Sequence, residues 1–270
     1  MKTIRLIHNL PRSGGTIISK CLGAQKDVIL LSEIHPDGIL ISKKMGVPRS
    51  SFDPVFQSQT WNNLFEKNEY KKIYNSDLKF EEKIELILER TELANKKLII
   101  RDWAFADFFG KPFIEPCYKN SLFEILNKKY NVLNLYIMRH PLKLYASCYN
   151  NFEFFRRNYS LDFFIKGYKN YFLNTLKNNI FIFENFILNP EKSLKNMCNT
   201  LKIDYDKDYL NKLKDINLTG DQDAKNSKII YTKDSVSKKK LINEDDLNKI
   251  KNHDDFINLM KDLKNYYQNV

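Results

Sequence analysis

Residues 4–16 constrain the fold of this chain more than any other segment, and they read IRLIHNLPRSGGT. The first seven of them form a largely apolar run of strand length, and a turn of small and polar residues follows. A helical pattern then begins at Ile17. A buried strand, a glycine-containing turn and a helix start are typical of the anion-binding turn of α/β proteins, where backbone N–H groups and the helix dipole converge on a phosphate.

The residues of this turn supply what an anion site requires. Gly14 and Gly15 allow the backbone to approach a ligand closely and to adopt a positive φ. Ser13 and Thr16 offer hydroxyl donors, and Arg12 brings a fixed charge with bidentate geometry. The turn is not a Walker A sequence, because the Gly-Lys-Ser/Thr ending is missing. An ordinary strand-to-helix connection that happens to contain two glycines is the alternative interpretation.

A second strand candidate also ends in a cation. The apolar run at residues 134–138 is followed directly by Arg139, and Ser147 lies eight residues further on, in the next helical pattern. Ligands of open parallel sheets bind in the crevice at the carboxyl ends of the strands. We therefore expect Arg139 and Ser147 to face the same crevice as the turn at residues 11–16.

Together these two segments resemble the sulfotransferase family. The strand–PRSGGT–helix segment resembles the loop that binds the 5′-phosphosulfate of 3′-phosphoadenosine 5′-phosphosulfate (PAPS). Arg139 and Ser147 resemble the family's site for the 3′-phosphate. Weaker similarities lie at residues 182–201 and at residues 218–228, of which the second is similar to the loop that closes over the nucleotide. The resemblance implies these cofactor-binding residues: Arg12, Ser13, Gly14, Gly15, Thr16, Arg139, Ser147, Lys225 and Ser227.

The same resemblance implies the reaction. A sulfotransferase moves the sulfuryl group of PAPS to a hydroxyl or amine of an acceptor and releases 3′,5′-bisphosphoadenosine. The acceptor is a small molecule or a glycan or peptide hydroxyl, and residues 38–63 and the aromatic residues at 152–159 could line many different pockets. The alternative is a P-loop-like nucleotide-binding protein or small-molecule kinase in which Arg12 and Arg139 hold the phosphates of ATP. A kinase of that type requires a lysine that this loop lacks.

The candidate catalytic residues are two cations and a base. Arg12, and Arg101 at the end of a third strand candidate, correspond to cations that stabilise the leaving group. Arg101 and Asp102 could instead pair with each other. The best-known family members have a histidine just after this cation, and residues 101–107 contain none. The tyrosylprotein branch uses a glutamate after the first helix, so Glu33 is the leading candidate for the base, followed by Asp102 and His35.

Strand and helix patterns alternate along the chain, which predicts one doubly wound, mainly parallel α/β sheet with helices on both faces. With 43% apolar residues, the 270 residues suffice for a single sulfotransferase-like domain over residues 1–270. Residues 38–63 are expected to be irregular. The expected strands lie at 4–10, 28–31, 98–101, 134–138 and 179–183, and the expected helices lie near 15–24, 80–94, 121–129, 161–176, 191–201 and 209–213. A long charged helix or a helix pair is expected at 244–267.

Charge and composition narrow the possible partners and location. The net charge of +11 comes largely from scattered lysines rather than from an arginine-rich strip, so nucleic acid is not the expected partner. The four cysteines show no paired spacing and the histidines show no ligand spacing, which predicts buried free thiols and no metal site. A signal peptide and an apolar run of membrane-spanning length are both missing from the sequence, so we expect a cytoplasmic protein without stable membrane insertion. The sequence does not indicate an oligomeric state.

Overall fold

The computed structural model describes residues 1–176, 178–220 and 244–267. Within these residues, five strands form one sheet in the order β2-β3-β1-β4-β5, and every neighbouring pair is parallel. The predicted α/β fold with a parallel sheet is therefore confirmed. The strands are β1 (Thr3–Asn9), β2 (Val28–Ile34), β3 (Lys97–Asp102), β4 (Asn131–Met138) and β5 (Asn179–Ile182).

Helices connect the strands and cover both faces of the sheet. Short 3-10 turns lie at Arg49–Ser51 and Leu213–Asp215. The α-helices are α1 (Gly15–Gly23), α2 (Gly38–Met45), α3 (Pro54–Asn62), α4 (Lys67–Tyr74), α5 (Phe80–Leu93), α6 (Ala104–Phe109), α7 (Ser121–Leu126), α8 (Pro141–Asn151), α9 (Glu153–Asn158), α10 (Leu161–Thr175), α11 (Phe183–Leu188), α12 (Pro190–Leu201), α13 (Tyr209–Lys212) and two C-terminal helices, Glu244–Lys251 and Asp254–Tyr267.

The two faces of the sheet are both apolar because side chains alternate along each strand. Ile7 and Ile137 belong to the core formed with α1 and α12. Leu6 and Ile100 point the other way, into the core formed with α5 and α7. Strands that are buried on both faces read as almost continuous apolar runs, which is why the sequence predicts their positions well.

The strand order places a topological switch point between β1 and β4. From β1 the chain crosses to β2 on one side of the sheet, whereas from β4 it crosses to β5 on the other side. The connections leave these two adjacent strands in opposite directions, so a crevice opens between their carboxyl ends. The turn at residues 10–14 and the residue Arg139 follow these two strands, and the expected ligand site therefore lies at the switch point.

The prediction that residues 38–63 are irregular is wrong, because α2 and α3 lie within them. Helix α3 is short, and much of its stability comes from its N-terminus. The buried carboxylate of Asp53 accepts the backbone N–H groups of Val55 and Phe56, and Pro54 occupies the first helical position. The segment has only a weak apolar periodicity, so its sequence pattern does not indicate the helix that the Asp53 cap stabilises.

Two smaller differences concern a helix end and a cysteine. The predicted helix at 121–129 ends at Leu126, whereas the segment at 244–267 is the helix pair that is one of its two predicted forms. The helices predicted near 80–94 and 161–176 are confirmed within one residue at their ends. All four cysteines are free, but Cys117 is exposed, so the prediction of four buried thiols is wrong for that residue.

Candidate active site

The turn between β1 and α1 has a left-handed backbone at two positions. The φ of Arg12 is 63° and that of Gly14 is 89°. A Cβ on Gly14 would lie 2.1 Å from the ring of Phe183, so both the backbone and the packing require glycine there. The first N–H groups of α1 have no acceptor within the helix, and they lie at the carboxyl end of β1. The turn therefore presents backbone donors and a helix N-terminus to the crevice.

Ser13 closes this turn instead of offering its hydroxyl to the crevice. Its Oγ donates to the carbonyl of Leu10 at 2.6 Å, and its backbone N–H donates to the same oxygen at 3.2 Å. The residue is buried. The expected hydroxyl donor is thus committed to the loop, and what Ser13 contributes is the shape of the turn.

Arg12, Ser147 and Arg139 come together at the switch point. The Nε of Arg12 donates to the Oγ of Ser147 at 3.3 Å, and the Nη1 of Arg139 donates to the carbonyl of Arg12 at 2.7 Å. The two guanidinium groups lie over the rings of Phe152 and Phe183. Within the described part of the chain, no carboxylate forms an ion pair with Arg12. This arrangement concentrates positive charge beside a hydroxyl group.

Arg101 forms a second polar group at the same edge of the sheet. Its side chain is 2% exposed. Its Nη1 donates to the Oγ1 of Thr16 at 3.1 Å, and its Nη2 donates to the Oγ of Ser32 at 2.8 Å and to the carbonyl of Thr219 at 3.0 Å. Because Thr16 belongs to the same loop as Arg12, the loop joins the two groups.

Glu33 is the carboxylate that faces Arg101. Its Oε1 lies 3.1 Å from the Nη2 of Arg101, and its side chain is 26% exposed. A bulge interrupts the pairing of β2 with β3 here, and Glu33 has a φ of 56°. Burial raises the pKa of the Glu33 carboxyl, an effect that the charge of Arg101 only partly offsets. A raised pKa brings a carboxylate closer to the range in which it works as a general base.

Asp102 lies on the opposite face of the sheet from Arg101, because neighbouring residues of a strand alternate. Its Oδ2 bonds to the Nδ1 of His8, and the Nε2 of His8 lies 3.1 Å from the Oδ1 of Asn134. The side chains of His8 and Asp102 are 0% and 1% exposed. The suggested pairing of Arg101 with Asp102 does not occur, and the Asp102 carboxylate has no route to an acceptor in the crevice.

Both ring nitrogens of His35 are occupied. Its Nδ1 accepts the backbone N–H of Asp37 at 3.0 Å, and its Nε2 lies 3.1 Å from the Oδ1 of Asp107. That carboxylate also accepts the hydroxyl and the backbone N–H of Ser121. His35 therefore braces the start of α2 against α6 and has no free nitrogen for proton transfer.

Sequence reasoning missed Ser32 and Gln57. Ser32 accepts from Arg101, and the buried amide of Gln57 bonds to both backbone groups of Ser32 and to the carbonyl of Ser51. Ser32 could have been found, since it precedes Glu33 at the carboxyl end of a strand. Gln57 lies on α3, within the segment predicted to be irregular, so no sequence pattern indicated that it contacts the site.

Two predicted site residues, Lys225 and Ser227, lie outside the described residues. Among residues 1–176, 178–220 and 244–267, no group of three or more His, Cys, Asp or Glu side chains could hold a metal ion. Over the same part of the chain, no helix has both the length and the apolar character to cross a membrane.

Solved structures of sulfotransferase domains have a similar fold. The sulfotransferase domain from the Synechococcus PCC 7002 olefin synthase matches with a TM-score of 0.65 and 16% identity, over 97% of this chain and 94% of that chain. The sulfotransferase domain from the curacin biosynthetic pathway matches with a TM-score of 0.60 and 14% identity, over 98% of each chain. No protein-family model matches the chain, and no curated protein sequence does.

At such low sequence identity, the similarity establishes the architecture and not the activity. The chain has the sulfotransferase fold, which agrees with the resemblance of residues 4–16 and 134–147 to that family.

Proposed function

We propose that this protein is a sulfotransferase that uses PAPS and transfers the sulfuryl group to a hydroxyl or amine. One observation carries the proposal: the carboxyl edge of the sheet holds two separate polar groups, each built around arginine, and one glycine-containing segment joins them. Arg12, Arg139 and Ser147 form the first, and Arg101 and Thr16 form the second. A nucleotide with anionic groups at both its 3′ and 5′ positions requires two such groups.

The residues present fit this cofactor. In the first group the Arg139 guanidinium and the Ser147 hydroxyl suit a terminal phosphate, and Arg12, which contacts both residues, connects them to the turn. The second combines Arg101 with the unpaired backbone N–H groups of α1, which suits a phosphosulfate. We assign the 3′-phosphate to Arg139 and Ser147 and the 5′-phosphosulfate to the turn from Arg12 to Thr16.

In this proposal PAPS supplies an activated sulfuryl group, and the protein supplies position and charge. Arg12 and Arg101 stabilise the negative charge that develops on the leaving phosphate, as cations do in phosphoryl transfer. Glu33 takes the proton of the acceptor hydroxyl. It is the candidate base whose carboxylate lies at this edge of the sheet and is partly open to solvent. Asp102 and His35 are bonded within the protein, so we do not retain them as bases.

Nucleotide binding tests the proposal. We expect 3′,5′-bisphosphoadenosine to raise the melting temperature more than AMP or ATP at equal concentration. The Arg139→Ala variant should bind 3′,5′-bisphosphoadenosine about tenfold to a hundredfold more weakly, because a charge-assisted hydrogen bond contributes about 1.5–3 kcal/mol. Its affinity for AMP should hardly change.

The matched control is Arg157→Ala, which removes the same charge from a side chain that is 74% exposed. It should leave both affinities unchanged. Equal losses for the two nucleotides in Arg139→Ala would contradict the 3′-phosphate assignment. Preferential stabilisation by ATP would favour the kinase alternative.

A further inference from the structure

Two tyrosines of α10 bind the backbone at the ends of the strands that carry the site. Tyr168 and Tyr171 are three residues apart, so they share one face of the helix, and each is 1% exposed. Both hydroxyls donate to main-chain carbonyls, and the Tyr168 hydroxyl also lies 3.5 Å from the hydroxyl of Tyr267. Neither residue belongs to the motifs on which the sulfotransferase resemblance rests.

Tyr168 holds Arg139 by its main chain. The hydroxyl of Tyr168 donates to the carbonyl of Arg139 at 2.8 Å. The guanidinium of the same arginine donates to the carbonyl of Arg12 and lies over the ring of Phe183. Arg139 is therefore fixed at both ends, and Tyr168 fixes the point from which its side chain leaves the backbone.

Tyr171 bonds to the backbone of both β1 and β4, and on β4 it does so two residues before Arg139. Its hydroxyl lies 2.9 Å from the carbonyl of His8 on β1 and 3.0 Å from the carbonyl of Ile137 on β4. The single hydroxyl proton is shared between these two oxygens. Tyr171 thus ties together the two strand ends that flank the switch point.

The rings of both tyrosines pack in the apolar core, so the hydroxyls are separable from the packing. The ring of Tyr168 lies 6.0 Å from that of Phe164, and the ring of Tyr171 meets that of Phe108 edge-on at 5.4 Å. A Tyr→Phe change keeps these ring contacts and removes only the contacts of the hydroxyl, which for Tyr168 include the approach to Tyr267. A buried hydroxyl is costly unless it is hydrogen-bonded, and both of these are.

We propose that Tyr168 is a positioning residue that gives the site its selectivity for a 3′-phosphorylated nucleotide, and that Tyr171 positions the whole anion site. This inference rests on the proposed function. Tyr168 acts through the Arg139 main chain, so it affects the 3′-phosphate alone. Tyr171 holds both strand ends, so it affects any nucleotide that the loop binds.

The test measures the dissociation constants of 3′,5′-bisphosphoadenosine and AMP for three variants by titration calorimetry. We expect Tyr168→Phe to weaken binding of 3′,5′-bisphosphoadenosine about threefold to tenfold and to leave AMP unchanged, as the loss of one neutral hydrogen bond predicts. Tyr171→Phe should weaken both ligands by a similar factor. Tyr159→Phe is the matched control, because the Tyr159 hydroxyl also bonds to two main-chain carbonyls, those of Phe109 and Lys111.

The ratio of the two affinities separates positioning from a general structural role. A structural loss would lower the melting temperature and affect both ligands, whereas selective positioning changes the ratio. In an Arg139→Ala background, Tyr168→Phe should leave the ratio unchanged, since the main-chain carbonyl remains but the side chain that it positions is gone.

The outcomes distinguish the inference from the proposed function. A wild-type protein that binds the two nucleotides equally would overturn the 3′-phosphate site itself. A wild-type protein that discriminates between them, together with a Tyr168→Phe variant that discriminates equally well, would overturn the role of Tyr168 and leave the proposed function intact.

Discussion

At the residue scale, neighbouring charged groups of this chain have different roles because of the strand face on which they lie. Arg101 and Asp102 are adjacent in sequence, yet Arg101 faces Thr16 and Glu33 while Asp102 faces His8. The sequence places both at the end of a strand. The direction of the side chain is what places Arg101 at the crevice and Asp102 in the core.

Glu33 is the residue on which the proposed chemistry depends most. We expect Glu33→Gln to lower turnover about a hundredfold or more while nucleotide affinity hardly changes, because a general base acts only in the chemical step. Since burial raises the pKa of Glu33, the wild-type rate should fall on acidification at a higher pH than an ordinary glutamate would give. Steady-state kinetics across pH would measure both effects.

The exposed Glu115 provides a control for the loss of one carboxylate, and Glu115→Gln should keep the wild-type rate. A Glu33→Gln variant with unchanged turnover would rule out this residue as the base.

The buried pair of His8 and Asp102 should affect stability. Burial by itself lowers the pKa of His8, but the charge and hydrogen bond of Asp102, together with Asn134 and Asp107, outweigh it and raise that pKa above its ordinary value. The pair therefore stabilises the fold most below the ordinary pKa of histidine, and its contribution is lost as the pH rises through the raised pKa of His8. We expect Asp102→Asn to cost about 1.5–3 kcal/mol at low pH and less at high pH.

Urea denaturation of the wild type and Asp102→Asn at several pH values would measure this difference. A difference in stability that grows with pH would contradict the direction of the His8 shift. An Asp102→Asn variant that stays fully folded but loses activity would return Asp102 to the list of candidate bases.

At the element scale, the turn between β1 and α1 packs against α11. Gly14 of the turn lies directly against the ring of Phe183, the first residue of α11. This contact joins two segments that the sequence resemblance treats as separate motifs. The carboxylate of Glu184, the next residue, accepts the backbone N–H of His140. Helix α11 therefore braces both the anion loop and the turn after β4.

Two glycine substitutions distinguish the effect of the contact between Gly14 and Phe183 on stability from the effect of backbone strain. Gly46 has a φ of 68° and no atom within 4 Å of a built Cβ, so Gly46→Ala should cost only the strain of about 1–2 kcal/mol. Gly14→Ala should cost that strain plus about 1–3 kcal/mol for the displaced Phe183 ring, and it should also abolish nucleotide binding. Thermal unfolding and calorimetry would measure the two effects. Equal losses of stability in the two variants would argue against the role of the ring contact.

The elements that the sequence predicted well are those with strong apolar patterns. Helix α5 buries Ile84, Ile87, Leu88 and Thr91 on one face, and this spacing is visible in the sequence. Helix α3 has no comparable stripe and depends on the Asp53 cap and on contacts of Gln57 with Ser32. Elements of this kind are stabilised by tertiary contacts, so pattern reasoning does not detect them.

At the scale of the whole molecule, the cations of the site come from three different strand ends. Arg12 follows β1, Arg101 ends β3 and Arg139 follows β4. Because the positive charge is supplied by side chains, we expect sulfuryl transfer from PAPS to continue in an excess of chelator. Turnover measured with and without EDTA would check this. A strict requirement for Mg²⁺ would favour the kinase alternative and count against the proposed function.

The sequence by itself determined the strands, the glycine-containing turn after β1 and the class of fold, because buried parallel strands and a glycine-containing turn leave local patterns. It also singled out Arg12, Arg139 and Ser147, which the structure brings together. Tertiary structure decided which polar residues share a site. The strand order, the bulge at Glu33 and the packing of α10 arise from contacts between residues far apart in the chain. Alternation along a strand separates its two faces, but it does not show which face meets the site.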